Sequence, residues 1–179
     1  MTHVSASRSI LRQFWSAGEE RPMWGIFDCA RERHIYSTII DSYLTYECLY
    51  LGDLPPELER AAPYLVKLEN GDKPSRQLIE MGWGRSWGIF AQAKVPASEL
   101  RRHFRKFLIV RGPTGKKLLF RYYDPRVFRA FLPTCNADEL RLLFGPVDTF
   151  WVESRDPDEA IRFRISSSGG LLKETVSLR

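Results

Sequence analysis

Three cysteines and three histidines in 179 residues leave little from which to build a metal site or a thiol–imidazole centre. Cys29, Cys48 and Cys135 are far apart and odd in number, no CxxC spacing occurs, and His3, His34 and His103 are equally scattered. Zinc sites draw their ligands from short, paired spacings, so no metal and no cofactor are expected. Reduced thiols fit a cytoplasmic protein. The opening MTHVSASRSILRQFW has neither an uninterrupted apolar core nor a small-residue cleavage site, so it does not read as a secretory signal. No apolar run has the length needed to cross a bilayer.

Catalytic patterns are missing as well. A Ser/His/Asp or Cys/His centre requires a histidine held beside a nucleophile, and no GxSxG elbow is present. Gly82, Gly84 and Gly88 in GWGRSWG are spaced GxGxxxG and precede a strand instead of following one. A pyrophosphate cradle needs the reverse order, with the loop opening a helix. The carboxylate pairs Glu19-Glu20, Asp138-Glu139 and Asp158-Glu159 stand in polar or helix-start settings, where acids are favoured by the helix dipole alone. No catalytic residue is nominated, and the protein is not expected to be an enzyme.

What is present is an ordinary globular composition, 44% hydrophobic and 27% charged, with 13% aromatic residues and five tryptophans. The net charge of +5 is unevenly placed. Residues 101–130 carry ten Lys/Arg against the single Asp124, whereas residues 1–100 and 131–179 are each at −2. A stripe of this kind attracts an acidic protein surface or nucleic acid.

Periodicity and breakers divide the chain into alternating strands and helices. Residues 1–21 read as a loose arm or short helix. Met23–Cys29, Tyr46–Leu51, Pro63–Leu68 and Ser86–Ala91 read as strands, with helices at 34–43 and at Ser75–Met81, the latter closed by a left-handed Gly82. The sequence Trp-Gly-Ile-Phe occurs twice, at Trp24 and Trp87, too short an echo to define a repeat. Ser98–Lys106 forms an amphipathic helix, and Gly112-Pro113-Thr114-Gly115 joins strands 107–111 and 117–122 as a hairpin. Asp124 caps a helix with Pro125 in its first turn, and Pro133 ends it. A helix at 137–144 lies between Asn136 and Gly145, followed by strands 149–153 and 160–165. The tail from 166 to 179 either pairs as a last strand or stays mobile. The expected fold is α/β, a central mixed β-sheet with flanking helices, C-terminal helices and a short hairpin. It divides into an arm (1–21), a main domain (22–153) and a C-terminal strand or tail (154–179). The main domain has one core or two small lobes, 22–95 and 96–153.

In order along the chain, MWGIFDCA (23–30), PYLVKLE (63–69), IEMGWGRSWGIFAQA (79–93), ELRRHFRKFLIVR (99–111) and KKLLFRYYDPRVFRAFLPTCNADELRLLFGPV (116–147) resemble the bacterial type VI secretion effector chaperones, or adaptors, of the Tap/Tec/VasW type. The resemblance implies a non-enzymatic cytoplasmic protein that binds a toxic effector and promotes its loading onto the VgrG spike. It supplies no catalytic motif. Candidate partner contacts are Trp83, Arg101, Arg102, Arg105, Arg121, Tyr122, Tyr123 and Arg126, the rings serving as anchors only where exposed. Gly84, Trp87, Gly88, Asp124 and Pro125 are assigned to the fold. The alternative is a nucleic-acid-binding module using the 101–130 stripe, although no RRM, KH or helix-turn-helix signature accompanies it.

Overall fold

The two copies of Trp-Gly-Ile-Phe lie side by side at the centre of the sheet. They form β1 (Met23–Asp28) and β4 (Gly88–Ala93), paired antiparallel so that Ile26 faces Ile89, Gly25 faces Phe90 and Gly88 faces Phe27. Each glycine thus sits opposite a phenylalanine of the other strand, and the two rings meet edge to face at 5.9 Å. The echo is a local symmetry of two paired strands, not a repeated unit. Both strands are buried on both faces, which is why they read as continuous apolar runs without alternation.

The computed structural model describes residues 3–15 and 22–179. Around β1 and β4 the sheet adds β2 (Tyr46–Cys48), β3 (Pro63–Leu68), β7 (Val147–Glu153), β8 (Glu159–Ile165) and β9 (Leu171–Ser177), in the order β2-β3-β1-β4-β7-β8-β9. Every described pairing is antiparallel, narrower than the mixed sheet that alternating strands and helices suggest. The separate hairpin consists of β5 (Ile109–Arg111) and β6 (Lys117–Leu119).

Side chains alternate across the sheet into two cores. One face gathers Met23, Phe27, Tyr64, Val66, Phe90 and Trp151 under α1 (His3–Phe14), α2 (Arg33–Ile40) and α4 (Lys73–Gly82). The other gathers Trp24, Ile26, Ile89, Phe150 and Phe163 under α5 (Ala97–Arg105), α6 (Pro125–Phe131) and α7 (Ala137–Phe144). A short α3 (Pro56–Arg60) lies on the surface between β2 and β3. The architecture is therefore an α/β sandwich with a helical layer on each face. Because β4 pairs with β7, residues 22–95 and 96–153 share one sheet, and β8 and β9 extend it with residues from 154–179.

Two local readings narrow to one of their alternatives, the N-terminal helix and the paired tail, and two change, at Gly82 and Pro133. The 3–14 segment is a helix whose Ala6, Ile10 and Phe14 are buried. Gly82 is the last helical residue, and the left-handed conformation belongs to Gly84, at φ 78°. Pro133 does not stop α6 outright, since a 3₁₀ turn carries the chain through Leu132–Thr134. The tail pairs as β9, along the whole of β8.

Candidate functional site

The segment from Phe120 to Pro133 closes one end of the sheet. Asp124 accepts the Arg126 N–H at 2.9 Å, and Pro125 fills the first helical turn of α6, where its missing N–H leaves no bond unmade. The Arg126 guanidinium folds back onto the same carboxylate, with Nε to Oδ1 at 3.0 Å and Nη2 to Oδ2 at 2.6 Å. Burial works to raise the Asp124 carboxyl, but the hydrogen bonds and charge of Arg126, with Arg121 beyond, hold it below its ordinary value. Arg121 pairs with Asp28, which is only 1% exposed and also accepts the Ala30 N–H at 3.2 Å.

The neighbouring rings point inward. The Tyr122 hydroxyl donates to the Phe104 carbonyl at 3.0 Å, and Tyr123 packs against Tyr122 at 5.4 Å. Burial raises both phenols, with Tyr50 adding to the effect on Tyr123. Trp83 stacks on Phe90 and donates its indole N–H to the Pro157 carbonyl at 3.2 Å. Trp83, Tyr122 and Tyr123 therefore do not meet the condition set for surface anchors. A buried ring with its polar atom satisfied braces the core.

The glycine-rich block serves the same end of the sheet. The Gly84 N–H and the Ser86 hydroxyl both donate to the Glu153 carboxylate, at 2.5 and 2.9 Å. Burial raises the Glu153 carboxyl, opposed by those bonds and by Arg129. Gly88 is required by close approach, because a Cβ there would stand 2.1 Å from the Ile26 carbonyl oxygen. Trp87 is buried beside it. Glu153 and Asp28 were not singled out in the sequence, although each anchors a motif that was.

The exposed half of the cationic stripe is different in character. Arg101 donates to the Cys48 carbonyl at 2.8 Å and lies 3.6 Å from Glu47. Arg102, Lys106, Arg111, Lys116 and Lys117 form no ion pair among the described residues. Between them stands the β5–β6 hairpin, hydrogen-bonded to no other strand, with Ile109, Val110, Leu118 and Leu119 from 37% to 53% exposed. Leu51 and Leu58, also exposed, face it across a groove of about 430 Å³. Arg105 lines that groove, and its Nε is buried without a hydrogen-bond partner. Contiguous exposed apolar side chains with a polar rim mark interaction sites. This surface, not the corner, brings aromatic-poor apolar contacts and unpaired cations together.

Among the described residues no three His, Cys, Asp or Glu side chains are grouped as metal ligands, and no helix is long and apolar enough to cross a membrane. His103 is buried and its Nε2 lies 2.8 Å from the Leu143 carbonyl, a packing role.

No curated protein and no solved structure matches the chain. Residues 23–142 match the family described as Domain of unknown function (DUF4123), which spans β1 to α7 and so includes the corner, the glycine block and the hairpin. The chain belongs to that family.

Proposed function

We propose that this protein is a non-enzymatic cytoplasmic chaperone or adaptor that binds a type VI secretion effector and promotes its loading onto the VgrG spike. The observation that carries the reading is the hairpin: four apolar side chains left uncovered on a two-stranded ribbon, beside an apolar groove and within a set of unpaired cations. Single exposed apolar residues are ordinary, but these four are contiguous on one ribbon beside an apolar groove, which marks an interaction surface. An apolar partner segment carrying acidic residues fits the groove, which Arg105 lines with its cationic side chain. The motif order that resembles the Tap/Tec/VasW chaperones supports the same reading.

The test is purification of the tagged protein from its native cell, with partners identified by mass. The expected partners are a toxin-bearing effector and VgrG. Ile109→Ser with Leu118→Ser should abolish their recovery while moving stability by no more than about 0.5 kcal/mol, as exposed substitutions do. Recovery that is unaffected by this variant removes the hairpin from the interface. A salt-sensitive complex with oligonucleotides and no protein partner would replace the adaptor reading with the nucleic-acid one.

A further inference from the structure

Four cations converge on a second cavity, whose lining shares no residue with the groove at the hairpin. It measures about 510 Å³ and lies between α6, the turn joining β7 to β8, and β9. Arg126 and Arg129 reach it from α6, Arg155 from the turn and Lys173 from β9, with Ser154 beside them and Ile161 as an apolar wall. Among the described residues no carboxylate lines it. Arg126 is held by Asp124, and Arg129 donates to the backbone carbonyl of Glu153. Arg155 and Lys173 form no ion pair among the described residues. Nearby, the Ser154 hydroxyl donates to the Glu159 carboxylate at 3.3 Å.

We propose that this cavity binds a phosphate-bearing anion of at least two charges, the size of pyrophosphate. Among the described residues Arg155 and Lys173 have no paired acid, so their charges add to those of Arg126 and Arg129 around the cavity. At Arg129 burial lowers the pKa first, Glu153 and Asp124 oppose, and Arg155 and Arg126 add to the lowering. A bound anion removes that repulsion. Phosphate fits better than a carboxylate because its oxygens point in several directions, as the cations do. A planar carboxylate is already satisfied by one guanidinium fork, as Asp124 is by Arg126. The volume falls in the usual range for small-molecule sites. The proposal is independent of the adaptor reading.

The test is calorimetric titration of the full chain with inorganic pyrophosphate at physiological salt. Saturable one-to-one binding is expected, weakened about tenfold or more by Arg155→Gln with Lys173→Gln, since each removes a charge-assisted contact. Both side chains are exposed and outside ion pairs, so an unchanged melting temperature of the free variant certifies its fold. Arg102→Gln with Lys106→Gln, on the hairpin side, should bind as the parent does. The proposal is overturned by absent saturation, by equal affinity in the Arg155/Lys173 variant, or by equal loss in the hairpin-side variant, which would signify diffuse counterion binding. Citrate binding as tightly as pyrophosphate would overturn the phosphate assignment.

Discussion

At the scale of single residues, the sharpest constraint is backbone against backbone. A Cβ on Gly88 would meet the Ile26 carbonyl oxygen at 2.1 Å and its carbon at 2.9 Å, and neither can rotate away. Gly88→Ala is expected to cost about 3 kcal/mol, at the upper end of overpacking. Gly115, at φ 76° with open space around it, should lose only about 1 kcal/mol on the same change, from the left-handed backbone alone. Equal urea midpoints for the two variants would contradict the β1–β4 register. Titration offers a second test. Burial is the largest influence on His103 and holds its pKa below the ordinary 6.5, so the unfolded chain takes up its proton first as pH falls. Stability should therefore decline from about pH 6.5 downward until the folded ring is also protonated. Glu153 works in the opposite sense: its raised pKa lets the folded state protonate first, a contribution that grows as pH falls and is complete below the ordinary 4.5. His103→Gln should flatten the decline below neutrality, and Glu153→Gln should steepen it. Midpoints that fall equally in parent and His103→Gln would refute the assignment.

Elements divide into those written in local chemistry and those fixed at a distance. The helix α7 belongs to the first kind. Asn136 accepts the N–H groups of Asp138 and Glu139 at 3.0 Å each, and the Glu139 carboxylate accepts the Asn136 N–H at 2.8 Å. Such a box is visible as Asn-x-x-Glu before an apolar stripe. Asn136→Ala should cost about 1 kcal/mol, read as a shift of the urea midpoint at unchanged slope, and no shift would mean that the cap is replaced by water. The Asp124-Pro125 start of α6 was equally legible. The order of the sheet was not, because β4 meets β7 across more than fifty residues of intervening helix and hairpin, and no local pattern encodes which strands become neighbours. The burial of the candidate rings was hidden for a related reason. Tyr122 and Trp83 looked available because rings beside cations suit an interface, yet their partners Phe104 and Pro157 come from elsewhere in the chain. Conversely, Ile109, Val110, Leu118 and Leu119 stand in continuous apolar runs like those of core strands, and only the fold shows that they are left exposed. Arg155 and Lys173 were hidden in a segment of net negative charge that folds back onto α6.

For the whole molecule, two helical layers on one sheet mean that each face depends on its own cover. The cover over β1, β4 and β7 includes α1, from a segment whose sequence left a loose arm and a short helix both open. Phe14 of that helix packs on Phe90 at 5.0 Å and on Trp151 at 5.8 Å, and its carbonyl accepts the Gln92 side chain at 3.1 Å. Ala6 and Ile10 are buried with it. Loss of one buried phenylalanine typically costs ~3–5 kcal/mol, against a net stability of about 5–15 kcal/mol for a domain. Phe14→Ala should accordingly lower stability by about 3 kcal/mol while leaving the fold intact. Removal of residues 1–15 should do more: it uncovers Phe90 and Trp151 together, and the shortened chain should bind a hydrophobic dye and lose its cooperative urea transition. An arm that merely rests on the surface would behave otherwise, with parent-like midpoints in both variants. That outcome would place the cover of this face in the remaining helices alone. Loss confined to the truncation, with Phe14→Ala silent, would instead shift the role to Ile10 and the backbone of α1.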